Sequence, residues 1–238
     1  MTAALALCVA GILSSPPAGW AQVTTQDLIQ DLEWRNIGPS NMMGRISTID
    51  ALESDHRTVL IGAASGGVWL SKDAGTTFEP IFDDYGSQSI GAVAFFQGDP
   101  DVIWVGTGES ENRNSVGWGD GVYRSTDGGA SFERMGLEDT YQISEILPHP
   151  TDREIVYVAA VGQLWGRKGR RGLFKTTDGG ESWQKLTNGL PDNDRVGATD
   201  VNLDPTNPQV VYVGMYDRLR RPWTMTSGGP GGGIFKST

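Results

Sequence analysis

Three stretches of this 238-residue sequence concentrate the residue types that do chemistry. The first, ESENRNSVGWGD at Glu109–Asp120, brings the carboxylates Glu109, Glu111 and Asp120 together with Arg113 and Trp118. Two carboxylates flanking a sugar ring are what glycoside hydrolysis requires, one as acid and the other as base or nucleophile. Solvated surface charge has the same look, so the three are catalytic candidates and no more. The second stretch, GQLWGRKGRR at Gly162–Arg171, carries Arg167, Lys168, Arg170 and Arg171 beside Trp165, with no acid among them. The third, DRLRRPWTMTSGGPGGG at Asp217–Gly233, places Arg218, Arg220 and Arg221 beside Tyr216 and Trp223. Guanidinium groups pair carboxylates and indole rings stack, so these two stretches suit an anionic peptide or polysaccharide. Contacts to acidic neighbours such as Glu109, or to further parts of the protein, account for the same residues equally well.

The elements that must position these stretches repeat. WLSKDAGTTF at Trp69–Phe78 returns as YRSTDGGASF at Tyr123–Phe132 and as FKTTDGGESW at Phe174–Trp183, and FKST begins a fourth copy at Phe235. The spacing is about 50–60 residues, the period of a propeller or another repeat array. Each period also reads alike: an apolar strand such as IGAVAFF, a polar turn, a second strand such as VIWVGTG, a loop, a third strand, the aspartate turn and a short fourth strand. Four antiparallel strands per period make one propeller blade. The expected fold is therefore an all-β propeller with about four blades, the last incomplete.

Within each copy the aspartate (Asp73, Asp127, Asp178) is placed to accept hydrogen bonds from the amides of its own turn. The preceding hydroxyl (Ser71, Ser125, Thr176) adds another bond. Gly75, Gly129 and Gly180 admit backbone angles that side chains resist, and Phe78, Phe132 and Trp183 are placed to pack the outer strand. These are hairpin-fastening roles. Calcium binding, the runner-up, fits poorly because each turn offers one carboxylate where calcium wants six or more oxygens. Strand parity then puts the aspartate turns on one face of the blades and the second-to-third loops on the other. All three chemistry-bearing stretches are second-to-third loops, as a rigid scaffold carrying function on variable loops would have them.

The S/T-x-D-x-G-x-x-F/W pattern resembles the Asp-box, or BNR repeat, of sialidases, sortilin-type receptors and xyloglucan-degrading propellers. Together with WRNIGP at Trp34–Pro39, it is most similar to sortilin-like propellers that often bear a glycosyl hydrolase label. The resemblance implies an exported module binding peptide or glycan on the face opposite the Asp boxes. The alternative it implies is a glycoside hydrolase of the sialidase or xyloglucanase type. Arg45 in GRIS resembles the opening of the sialidase Arg-Ile-Pro motif, but Ser47 replaces the proline. In xyloglucan-degrading propellers a catalytic aspartate ends the second strand of the first blade; the similar segment here, AASGG, puts Ala64 there. Alanine moves no proton.

The formal charge of −10 and pI near 4.6 exclude a nucleic-acid partner, whose phosphates would be repelled. AALALCVAGIL at Ala3–Leu13, followed by SSPP and GWAQ, reads as an export signal cleaved after Ala21, although no Lys or Arg precedes Arg35. Cleavage removes Cys8, the single cysteine, so disulfides and thiol catalysis drop out. The expected organisation is a signal peptide over about residues 1–21, a lead-in with a short helix over about 22–43, and blades over about 44–82, 89–135, 141–186 and 198–238. Secretion or a periplasmic location follows, with no membrane span after cleavage and further blades of a longer chain as partners. His56 and His149 fall in first-to-second turns with no second ligand nearby in sequence, and read as surface residues. DNDRVG at Asp192–Gly197 lacks the later ligands of a calcium loop and reads as a blade-linking turn. No metal and no cofactor is expected.

Overall fold

The computed structural model describes residues 45–237, and within them the apolar runs become strands. The expected signal peptide, the lead-in and Thr238 lie outside the described residues. Helix among the described residues is confined to one 3-10 turn at Glu138–Thr140.

Strands β1 (Ile46–Ala51), β2 (Val59–Ala63), β3 (Val68–Ser71) and β4 (Glu79–Pro80) form the first antiparallel sheet in chain order. The second holds β5 (Ile90–Phe96), β6 (Asp99–Thr107), β7 (Val122–Ser125) and β8 (Glu133–Arg134). The third holds β9 (Ile143–Pro148), β10 (Val156–Ala160), β11 (Gly172–Thr176) and β12 (Gln184–Leu186). The fourth is built from β13 (Val196–Asp204), β14 (Asn207–Arg221), β15 (Thr224–Ser227) and β16 (Gly233–Lys236). This is a four-bladed all-β propeller of four-stranded antiparallel sheets.

The fourth sheet departs from the others. Strand β14 pairs with β13 and β16 along its first part and continues past them to pair with β15. The long loop expected over 217–233 is thus half hairpin: Arg221 faces Thr224, and Pro222–Trp223 make the turn. Proline fixes the backbone angle that such a turn needs at its first corner.

Strand periodicity explains how the blades stack. Successive side chains point to opposite faces, so the second and third sheets each pack on both neighbours. Val93 and Phe95 join Leu60, Val68 and Phe82 of the first blade, whereas Ala92, Ala94 and Phe96 share a core with Ile146 and Val158 of the third. Tyr157 and Leu173 turn the other way, towards Val201 and Val213 of the fourth. The first strands of successive blades lie side by side, each with a bulge at Ser47, Gly91, Ser144 or Thr199. The Ser47 hydroxyl is shared between the carbonyls of Gly62 (2.9 Å) and, in the next blade, Ile90 (2.7 Å). Ser144 repeats this with Ala159 (3.1 Å) and Ala198 (3.0 Å). At Gly91 the next blade comes closer still: a Cβ would sit 1.8 Å from the Ile143 carbonyl oxygen.

The aspartate turns form one hydrogen-bond pattern three times. In the second blade Ser125 Oγ donates to Asp127 Oδ1 (2.7 Å) and accepts from the Gly129 amide (2.9 Å). Asp127 then accepts from the Ser131 amide (2.9 Å) and hydroxyl (2.6 Å). The set recurs at Ser71, Asp73 and Thr77, and at Thr176, Asp178 and Ser182. The donors pull the Asp127 and Asp178 carboxyls down to about 2, the Ser131 and Ser182 hydroxyls contributing most. Their contribution to stability is therefore complete above the ordinary aspartate range and is lost as pH falls towards 2. Each turn is tied to the start of the second strand on its own face, by Ala74 N to Arg57 O, Gly128 N to Asp101 O and Gly179 N to Glu154 O.

Replacing Ser125 by alanine strips a buried hydroxyl that serves two partners, and should cost about 1 kcal/mol in urea denaturation. A loss of ligand binding without loss of stability in that variant would show the turn to be a site and not a fastener.

His149, expected at the surface, is buried at 7% exposure. Its Nδ1 accepts from the amides of Thr151 (3.3 Å) and Asp152 (3.2 Å), closing its turn as Asp55 and Asp99 close theirs in the first two blades.

Candidate functional site

The loops that join second to third strands in the second and third blades begin and end on glycines, Gly108 and Gly121 and then Gly162 and Gly172, all at positive φ. Gly108 at φ 88° opens the second-blade loop, and a Cβ there would lie 2.0 Å from the Tyr141 carbonyl oxygen. The Gly119 amide donates back to that same carbonyl at 2.7 Å, cinching the loop at both ends.

Within this loop the three candidate carboxylates part company. Glu109 is buried and forms an ion pair with Arg45, whose Nη2 also lies 3.4 Å from Glu111 Oε2. Asp120 has other partners. It accepts from the Tyr123 hydroxyl (2.6 Å) and from Thr107 Oγ1 (3.2 Å), with Arg134 at 3.8 Å. Burial and this carboxylate push the Tyr123 phenol up to about 12. Arg113 is exposed and donates to the Ser115 hydroxyl at 3.3 Å. Trp118 is 53% exposed, its ring edge-on to Tyr141 at 5.6 Å between centroids.

The basic set divides in the same way. Arg171 and Arg218, expected on the rim, are instead buried. Arg218 donates through Nη1 to the Ser110 carbonyl and to Asn112 Oδ1 (3.1 Å), and through Nη2 to Gln142 Oε1 (2.7 Å) and the Gly162 carbonyl (3.0 Å). It therefore ties the fourth blade to loops of the second and third. Burial, then repulsion from Arg171, brings its guanidinium down to about 9. Arg171 closes its own loop through the carbonyls of Gly166 (3.2 Å) and Lys168 (3.4 Å), and burial lowers its pKa too. Arg167 and Arg195 flank the buried Asp217 carboxylate at 3.9 and 2.7 Å. Arg170 pairs with Asp139 at 2.8 Å and lies over the Phe174 ring. Arg220 reaches the Met225 sulfur at 3.5 Å. Trp165 is half-buried, whereas Trp223 projects from the β14–β15 turn at 81% exposure.

One carboxylate was not singled out from the sequence. Thr48, Ala92, Glu145 and Asp200 each follow the bulge of a first strand, so they occupy the same register in the four blades. Burial raises Glu145 to about 7, and the neighbouring charges of Asp200 and Asp50 add to the shift. The signal was there: an acid inside the apolar strand ISEILP, matched by another in VGATDVNLD. No group of three or more His, Cys, Asp or Glu placed to hold a metal occurs among the described residues, and none of their helices is long and apolar enough to cross a membrane.

No protein-family model matches the chain. It is 23% identical to a xyloglucanase from Paenibacillus sp. over 89% of its own length and 23% of that protein's. Over 44% of the chain it is 31% identical to vacuolar protein sorting/targeting protein 10 of Colletotrichum graminicola, covering 7% of it. Among solved structures, the GH74 enzyme of Niastella koreensis superposes with a TM-score of 0.58 at 18% identity, over 80% of this chain and 28% of that one. The chain thus spans under a quarter of the length of these curated relatives. It is a β-propeller similar in sequence to xyloglucanase and to vacuolar protein sorting/targeting protein 10, and similar in fold to a GH74 enzyme.

Proposed function

We propose that this chain is part of an exported β-propeller that binds a glycan on the loop face, opposite the Asp-box turns. The observation that carries the reading is Trp118: an exposed indole held edge-on by Tyr141, on a loop whose two ends are hydrogen-bonded shut. A preorganised aromatic surface accepts the apolar face of a sugar ring without first having to order itself. Trp223 supplies a second exposed ring on the same face, and Arg113 an exposed cation. The xyloglucanase similarity favours xyloglucan over a peptide. A sortilin-like peptide-binding role is what the shorter match to the sorting protein would favour.

Hydrolysis is the second reading, favoured by the same xyloglucanase similarity. Against it, Glu109 is tied to Arg45 and Asp120 to Tyr123, and buried Ala64 stands where the resemblance would put an aspartate.

Xyloglucan oligosaccharides titrated into the protein by calorimetry should bind saturably and release no reducing sugar. Trp118→Ala should weaken binding about 10-fold, about 1.4 kcal/mol, with the melting temperature unchanged. Reducing-sugar release that disappears in Glu109→Gln would establish the hydrolase reading, and peptide binding in place of glycan binding the sortilin-like one.

A further inference from the structure

Two arginines lie inside the protein without a carboxylate of their own. Arg171 and Arg218 are each 1% exposed, and among the described residues every hydrogen bond they make ends on a neutral oxygen. The buried acid Asp217 is provided for differently, with Arg195 at 2.7 Å from Oδ2 and Arg167 at 3.9 Å from Oδ1. The other acids that act on the pair are engaged or solvated: Glu111 lies 3.4 Å from Arg45, and Asp194 is exposed. Burial lowers the pKa of both guanidinium groups, and like charge adds to the shift, Arg167 acting on Arg171 and Arg171 on Arg218.

The two groups meet at Gly162. Its carbonyl accepts from Arg218 Nη2 at 3.0 Å, and a Cβ on that glycine would lie 2.8 Å from Arg171 Nε. Gln142 joins them, its Oε1 accepting from Arg218 Nη2 at 2.7 Å and from the Leu164 amide at 3.1 Å. Four buried nitrogens of this group make no hydrogen bond within the described chain: Nε and Nη1 of Arg171, Nε of Arg218 and Nε2 of Gln142. All four are donors. In a guanidinium Nε points to the same side as Nη2, so the unused Arg218 donor is aimed towards Gln142 and Gly162.

We infer that Arg171, Arg218 and Gln142 form a binding site for a small inorganic anion such as chloride, which accepts from the unused donors where loops of the second, third and fourth blades meet. The size follows from burial: the chain itself encloses these donors, so neither a sugar nor a peptide reaches them. The sign follows from the chemistry, since two desolvated cations and an amide donor call for an acceptor that carries negative charge. A water molecule can accept from the same donors but leaves both charges uncompensated. Arg218 also holds Ser110 and Asn112, and Arg171 closes its loop through Gly166 and Lys168, so one anion steadies two loops together. The inference is independent of what the loop face binds.

The test measures the melting temperature in sodium gluconate, whose anion is too large for the site, while chloride is exchanged in at constant ionic strength. Melting should rise by several degrees and saturate, as binding to the folded state alone requires. Crystals soaked in sodium bromide should show an anomalous peak bounded by Arg171, Arg218 and Gln142. Gln142→Glu builds a carboxylate into the same place and keeps the oxygen that Arg218 and Leu164 use. In gluconate this variant should melt above the parent, and it should ignore chloride. Melting of the parent that is indifferent to chloride would assign the unused donors to water and overturn the inference. So would bromide missing from the site, a chloride response retained in Gln142→Glu, or melting of that variant below the parent in gluconate.

Discussion

Replacing Arg218 by methionine should destabilise the protein by about 3 kcal/mol and loosen the loop that carries Trp118. Methionine keeps most of the volume, so the loss comes from polar groups. Arg218 is 1% exposed and serves the Ser110 and Gly162 carbonyls and the side-chain oxygens of Asn112 and Gln142. Without it these acceptors stay inside the protein with fewer donors, and an unmade buried hydrogen bond costs more than a made one returns. The burial that lowers its pKa to about 9 works the other way, since removing a desolvated charge is favourable. With several acceptors stranded, the first effect wins. Urea denaturation measures the loss, and hydrogen exchange at Ser110–Asn112 should accelerate more than exchange in β6. Unchanged exchange there would mean that Arg218 does not hold the loop.

The Glu145→Gln variant should be more stable than the parent at pH 8 by roughly 2 kcal/mol and indistinguishable from it at pH 4. Glu145 is raised to about 7 by burial, with Asp200 and Asp50 adding like charge. A carboxyl raised in the folded state binds its proton more tightly there than in the unfolded chain. Its contribution is therefore intact below the ordinary glutamate value and is lost as pH rises through 7. Glutamine has the same shape and stays neutral throughout, so it escapes that loss. The size is set below the full shift because part of the side chain faces solvent. Melting temperatures from pH 4 to pH 8 provide the measurement. Asp200→Asn should recover a smaller share of the stability, since it removes one like charge and leaves the burial. Parallel melting profiles for parent and Glu145→Gln would contradict the assignment.

Both residues mark the limits of reading the chain alone. Glu145 looks like one more polar position in a strand, and only the meeting of first strands brings it to Asp200 and Asp50. Arg218 and Arg171 look like rim cations, because a basic run beside tryptophans is what an anion-binding edge would show. Their burial follows from partners far along the chain: Arg218 and the Ser110 carbonyl are 108 residues apart. The loop acids were legible as a group, but not that Glu109 would turn to Arg45 and Asp120 to Tyr123. The β14–β15 hairpin was missed because glycines and a proline made 217–233 look irregular.

What the sequence by itself determined was the four-stranded unit, its repetition and its aspartate turns. These rest on local rules: alternating side chains make the strands, and hydrogen bonds between residues two to four apart close the turns, so a short window holds the whole message. The tertiary structure alone decided which charged groups are buried and which rings stay exposed. Those properties arise where sheets distant in sequence meet, and burial there depends on the neighbour as much as on the residue.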